Sequence, residues 1–141
     1  MHSLLDYYKL TVVSLMEDGD RENYKQFEIK GCNSEEISIE RRGTNPLKEI
    51  ELYNSYKRIL KRIKPDLVIT YTVKPNIYAG MVCKKLKIPY FSNITGLGSA
   101  IMSGGILAKL VLALYRPAIS GARKVFFQNS YNLNVFKENG L

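Results

Sequence analysis

Apolar positions recur along this chain with two different periods, and the period switches several times. Leu10-Thr-Val-Val-Ser-Leu15 is a compact β-branched run that predicts a strand. Residues 21–30 are polar enough for a surface helix ending near Gly31, and Ile37-Ser-Ile39 predicts a brief second strand. From Asn45 the spacing lengthens. Leu47, Ile50, Tyr53, Tyr56, Leu60 and Ile63 recur every three or four residues, the signature of one apolar helix face. Asn45 suits the N-cap and Pro46 the first helical position, where a missing N–H costs nothing. Lys57, Arg58, Lys61, Arg62 and Lys64 load the last turns, where cations complement the helix dipole, and Lys64-Pro65 ends the helix.

The second half continues the alternation. Asp66 to Tyr71 predicts a buried strand, Pro75 opens a helix to about Lys87, and Ile88 to Asn93 predicts another strand. Gly80 inside that helix costs ~1 kcal/mol against alanine, which points to close packing on the sheet. Thr95-Gly-Leu-Gly98 reads as a glycine loop, residues 105–120 as an apolar-rich helix, residues 124–128 as a last strand and residues 130–138 as a last helix. Strands separated by helices predict an α/β fold, a Rossmann-like doubly wound parallel sheet with helices on both faces. Right-handed crossovers put every strand's carboxyl end on one edge, where such folds bind ligands. The segments to watch are therefore Met16 to Asp20, Arg41 to Asn45, Thr70 to Asn76, Ile94 to Ser99 and Gln128 to Ser130. With no repeat and no linker, one domain spanning residues 1–141 is expected.

Composition narrows the chemistry. Cys32 and Cys83 form no CxxC, and His2 is the single histidine, so a disulfide scaffold, a zinc knuckle and multi-histidine metal sites are not expected. The N-terminus lacks the basic-then-apolar pattern of a signal peptide. The longest apolar run, Leu110 to Tyr115, falls far short of the ~20 residues that a membrane span needs. A cytoplasmic protein with reduced thiols is expected. Charge is unevenly placed: residues 1–66 hold 12 acids and 12 bases, whereas residues 67–141 hold Glu138 against nine bases and so carry the whole +8. Besides a plain solvated surface, that half could face nucleotide phosphates, a lipid diphosphate or an anionic membrane.

Four segments could carry chemistry. Tyr71-Thr-Val-Lys-Pro-Asn76 joins a strand end to a helix start, where free N–H groups, the dipole and Lys74 favour an anion, with Thr72 and Asn76 bonding a sugar or phosphate. An ordinary capped turn explains it equally well. Thr95-Gly-Leu-Gly98 is neither a Walker loop nor a full GxGxxG. Arg41-Arg-Gly-Thr-Asn-Pro46 offers paired guanidinium groups, although a loop with a helix cap also accounts for it. The helix Ile106 to Ile119, with Lys109, Arg116, Arg123 and Lys124 nearby, reads as a core helix, or as an interfacial one. No paired carboxylates stand out, so a general base is not evident.

Taken in order, Arg-Arg-Gly-Thr-Asn-Pro before the basic helix, then Lys-Pro-Asp-Leu-Val-Ile-Thr-Tyr-Thr-Val-Lys-Pro-Asn-Ile-Tyr-Ala-Gly, then Asn-Ile-Thr-Gly-Leu-Gly, then Val-Phe-Phe-Gln-Asn, resemble the bacterial family 4 glycosyltransferases that build capsule, O-antigen and other lipid-linked glycans. The resemblance covers nearly the whole chain. It implies the N-terminal, acceptor-side domain of a GT-B enzyme, with a second domain for the donor, retention of anomeric configuration and no divalent metal. It implies no cofactor, a UDP-linked sugar as co-substrate, a lipid-linked glycan acceptor, peripheral contact with an anionic membrane at its cytoplasmic face, and no nucleic acid. On it, the acceptor site takes Arg42, Thr44, Tyr71, Thr72, Lys74 and Asn76, while Thr95, Gly96, Gly98 and Asn129 lie near the cleft and phosphates. No catalytic residue is assigned.

The chain departs from that family's pattern at both ends. The donor domain is missing after Leu141, and the opening strand and glycine loop are missing before His2. Where many relatives place histidine, Ile69 and Tyr71 stand. Loss of a central first strand would leave the strands at 10–15 and 67–71 without a shared neighbour, so a marginally stable, aggregation-prone product that does not turn over alone is expected. Two rival readings remain: a non-catalytic, membrane-facing subunit completing a split glycosyltransferase, and a basic nucleic-acid-binding module. The latter lacks a basic–aromatic stripe.

Overall fold

The computed structural model describes residues 6–14, 28, 30–37 and 45–141. Its packing divides the chain into two compact units, Met1–Leu52 and Tyr53–Leu141. Five strands, all parallel, form two sheets, one of β1-β2 and one of β3-β4-β5. The α/β class and the parallel pairing are as expected.

In the first unit, β1 (Thr11–Ser14) pairs with β2 (Asn33–Glu36), Thr11 opposite Asn33 and Ser14 opposite Glu36. Flanking bonds extend the ladder, Asn33 N–H to the Leu10 carbonyl at 2.8 Å and Ile37 N–H to the Ser14 carbonyl at 3.0 Å. The second strand was expected at residues 37–39 and instead lies earlier, on Asn-Ser-Glu-Glu. Partnership with β1 makes this segment a strand; its side chains carry no apolar alternation to announce it. Ile37 closes the run and is buried. The helix expected over residues 21–30 falls largely outside the described residues, as does the segment Met16 to Asp20.

Helix α1 (Pro46–Ile63) starts as expected. The Asn45 Oδ1 accepts the Leu47 N–H at 3.0 Å, and the Asn45 carbonyl accepts the Glu49 N–H at 3.1 Å. Its inner face differs from the expected one. Leu47 and Ile50 are 76% and 59% exposed, while Leu52, Tyr56, Ile59 and Leu60 are buried. That stripe has the same three-to-four spacing, turned around the helix, because leucine at 52 and isoleucine at 59 satisfy the period as well as the residues first chosen.

In the second unit, β3 (Val68–Tyr71), β4 (Tyr90–Ile94) and β5 (Lys124–Phe127) lie side by side, with Thr70 opposite Ser92 and Ser92 opposite Val125. A π turn (Pro75–Ala79) runs into α2 (Gly80–Leu86) and joins β3 to β4. Short α3 (Gly98–Met102), which the periodicity did not reveal, and α4 (Gly105–Ile119) join β4 to β5; α5 (Ser130–Glu138) follows. Two crossovers of one hand, stepping the same way across the sheet, cover the same face. On that face the core gathers Ile77, Ile94, Leu97, Ile101, Leu112, Tyr115 and Phe136. Phe136 packs edge-on to Tyr115 and Phe127, with ring centroids at 4.9 and 5.1 Å.

Gly80 was expected to pack on the sheet. A Cβ there would lie 3.1 Å from the Ala118 carbonyl oxygen and 3.5 Å from the Tyr90 ring, so the tighter constraint is the α4 backbone. Tyr90 donates its hydroxyl to that same Ala118 carbonyl.

Candidate functional site

Strand direction brings three chain turns to the carboxyl edge of the β3-β4-β5 sheet. After Tyr71 the chain reverses through Thr72, whose φ of 64° is in the left-handed region. That conformation is a genuine outlier for a β-branched side chain and costs about 1–2 kcal/mol. Such strain persists where the surroundings impose it, often at ligand-binding turns. Val73 and Lys74 then lead into Pro75 and the π turn.

After β4, Thr95-Gly96-Leu97 crosses the edge, with Leu97 buried in the core as its anchor. Gly98 follows at φ +74°, and a Cβ there would sit 2.7 Å from the Val73 Cγ2. Only glycine satisfies both conditions, so the first turn and the glycine loop are held against each other. Gly96 has open space where a side chain would stand, which leaves its backbone approachable. The third turn, Gln128-Asn129, is tied in by the Gln128 N–H to the Ile94 carbonyl at 3.2 Å.

The structure thus brings together Tyr71, Thr72 and Lys74 with Thr95, Gly96 and Gly98. Tyr71, Thr72 and Thr95 are exposed and Lys74 is half-buried. Arg42 and Thr44 lie outside the described residues.

Two residues have a different task from the expected one. Asn76 was expected to bond a sugar, yet its side chain is wholly buried. Its Oδ1 accepts the Thr70 hydroxyl at 2.5 Å, and its Nδ2 donates to the Asn93 carbonyl at 2.8 Å. The Thr70 hydroxyl also lies 3.4 Å from the Ser92 hydroxyl. Asn76 therefore locks the π turn to β3 and β4 and turns no amide to a ligand. Asn129 was expected near the phosphates. Its Oδ1 accepts the Asn132 N–H at 2.8 Å and caps α5. Val73 was missed, because nothing in its own neighbourhood announces that it meets Gly98.

The electrostatics also differ from expectation. Lys64, Lys87, Arg123 and Lys124 precede their strands and so stand at the amino edge, whereas Lys74 is the cation within the two facing turns. Pro75 has no N–H, and the Asn76 N–H bonds the Thr72 carbonyl at 3.1 Å, so two of the donors expected for an anion are taken. No Asp or Glu occurs between Asp66 and Glu138. These turns can offer hydrogen bonds, one ammonium group and an aromatic surface, and no carboxylate base. Burial pushes the Cys83 thiol up to about 12, which makes it inert as a nucleophile. Burial likewise raises the Tyr115 phenol, tempered by the Asn76 side chain. Among the described residues, no helix is long and apolar enough to cross a membrane.

Comparison with known proteins follows the same line. A family model described as "Glycosyl transferase 4-like" matches residues 1–129. The N,N'-diacetylbacillosaminyl-diphospho-undecaprenol alpha-1,3-N-acetylgalactosaminyltransferase of Campylobacter jejuni is 28% identical over 106 residues, covering 72% of this chain and 28% of its own length. The crystal structure of Acinetobacter baumannii MurG superposes with a TM-score of 0.53 at 16% identity, over 87% of this chain and 32% of that one. The chain thus spans about a third or less of the relatives it matches, and the structural likeness bears on fold alone.

Proposed function

This chain belongs to the glycosyl transferase 4-like family, and from that premise we propose that it is the acceptor-side part of an enzyme moving a sugar from a nucleotide donor to a lipid-linked glycan. The relative's printed name, with its sugar on diphospho-undecaprenol, supports an acceptor of that class. One observation carries the assignment of the site: the strained Thr72 turn and the Gly96–Gly98 loop are pressed together at the carboxyl edge by the Val73–Gly98 approach. Lys74 meets an acceptor phosphate there, and Tyr71, Thr72 and Thr95 face its sugar.

The donor is a UDP-linked sugar held by residues beyond those matched here, and transfer retains configuration without a divalent metal. Departure of the nucleotide diphosphate is then stabilised by cations and helix dipoles of that other part. The absence of any carboxylate at the turns of this edge supports a binding part that does not turn over alone. The acceptor belongs to a surface glycan such as capsule or O-antigen, reached at the cytoplasmic face of an anionic membrane.

The test is amide chemical-shift mapping with a water-soluble, short-chain prenyl diphosphate sugar. Shifts are expected across residues 71–74 and 95–98, with about tenfold weaker binding in Lys74→Ala, the loss of one charge-assisted hydrogen bond. Shifts confined to the amino edge around Lys87, Arg123 and Lys124 would overturn the assignment.

A further inference from the structure

We infer that the α3–α4 hairpin is a docking surface for an anionic lipid bilayer. The inference rests on the lipid-linked acceptor reading above and names the surface through which such an acceptor is reached. Helix α4 has two apolar sides. One, through Ala108, Leu112, Tyr115 and Ala118, is buried on the core. The opposite side is turned to solvent, and its first turns are apolar too: Ile106 is 88% exposed and Leu110 55%. Met102, at the end of α3, adds a further large side chain at 63% exposure. A water-facing helix side is ordinarily polar, so this stripe calls for a partner.

Three observations select a bilayer as that partner. First, charge: exposed Lys109 stands inside the stripe, and no Asp or Glu occurs anywhere between Asp66 and Glu138. Aliphatic side chains flanked by cations without acids match the headgroup boundary of an anionic leaflet. Second, composition: the exposed side chains are Met, Ile and Leu, without the Tyr, Trp or Arg that anchor protein interfaces. Third, position: α3 begins at Gly98, the residue that presses on the Thr72 turn, and α4 runs from that edge back toward the start of β5. The stripe's exposed end is therefore on the same side of the sheet as the candidate site.

The backbone permits this projection. Gly104 (φ 71°, ψ −161°) and Gly105 (φ 72°) join the two helices in conformations open to glycine. Neither has any atom within 4 Å of where a side chain would stand, so the hairpin's tip is free of packing.

Co-sedimentation with sucrose-loaded vesicles of phosphatidylcholine, with and without roughly 30% phosphatidylglycerol, tests the proposal. Binding is expected to the anionic vesicles and to weaken in high salt. Ile106→Ser combined with Leu110→Ser should lower binding about tenfold or more, and Lys109→Gln about fivefold. These side chains are exposed, so circular dichroism and the unfolding midpoint should stay put. Equal binding by the double variant would overturn the proposal, since another surface would then be responsible. Concentration-dependent dimers abolished by the same changes, without vesicle binding, would assign the stripe to a second copy and also overturn it. The acceptor reading fails separately: vesicle binding would persist while the soluble prenyl diphosphate sugar leaves residues 71–74 and 95–98 unshifted.

Discussion

Gly98 and Val73, 25 residues apart in the chain, meet so closely that the smallest side chain on Gly98 would come within 2.7 Å of the Val73 Cγ2. The glycine also has φ +74°, so alanine there faces both a steric and a torsional obstacle. Gly98→Ala should cost about 1–3 kcal/mol in urea unfolding. Adding Val73→Ala removes the clash and leaves the torsion, so the double variant should recover part of the loss. Full recovery would show that the backbone conformation is without cost.

Thr72 makes the opposite case. Its φ of 64° is unfavourable for threonine and natural for glycine. Thr72→Gly should raise stability by about 0.5–1 kcal/mol while weakening acceptor binding, because the strain is held for the sake of where the side chain points. A fall in stability would mean that the side chain's packing outweighs its strain.

Asn76 ties three elements with one carboxamide. Asn76→Ala strands the Thr70 hydroxyl and the Asn93 carbonyl and should destabilise by about 1–3 kcal/mol. A cycle with Thr70→Ala should show coupling of about 0.5 kcal/mol or more. Unchanged stability with lost acceptor binding would return Asn76 to the ligand role.

Asn129→Ala removes the α5 cap and should cost about 1 kcal/mol, read by thermal or urea unfolding, with Asn129→Gly costing only a few tenths. An acceptor-affinity change far beyond that loss would instead place Asn129 at the phosphates.

Alkaline pH should unfold this protein early. Burial raises the Cys83 thiol from 9.0 to about 12. Burial also raises the Tyr90 phenol from 10.0 to about 12, against the pull of the Gly121 backbone and with help from nearby Cys83. The folded state holds both protons more tightly than the unfolded chain does. Their contribution is therefore complete below about pH 9 and declines as pH climbs through about 12. Urea midpoints should fall over that range, and Cys83→Ala should flatten the part nearest pH 9 after its own cavity cost is subtracted. A flat profile would contradict the burial of both groups.

Much of this was legible beforehand because it is local. The Asn45-Pro46 start of α1, the β-branched run of β1, the strand-helix alternation after Asp66 and the glycine loop all depend on residues within a turn or two of each other. Turn chemistry and periodicity record such neighbours directly. Strand β2 was misplaced because its polar Asn-Ser-Glu-Glu is extended through pairing with β1, a partner more than 20 residues away.

The amino acids alone determined the α/β class, the order of the elements of the second unit, the edge to which Tyr71, Thr72, Lys74 and the glycines come, and the acid-free stretch from 67 to 137. Tertiary structure decided that Asn76 is a buried lock and Asn129 a cap, that Leu52 and Ile59 rather than Leu47 and Ile50 turn inward, and that Ile106 and Leu110 stay in water. The physical reason is the same each time. A side chain's chemistry is written in the chain, but which of its possible partners it meets depends on atoms brought near by folding.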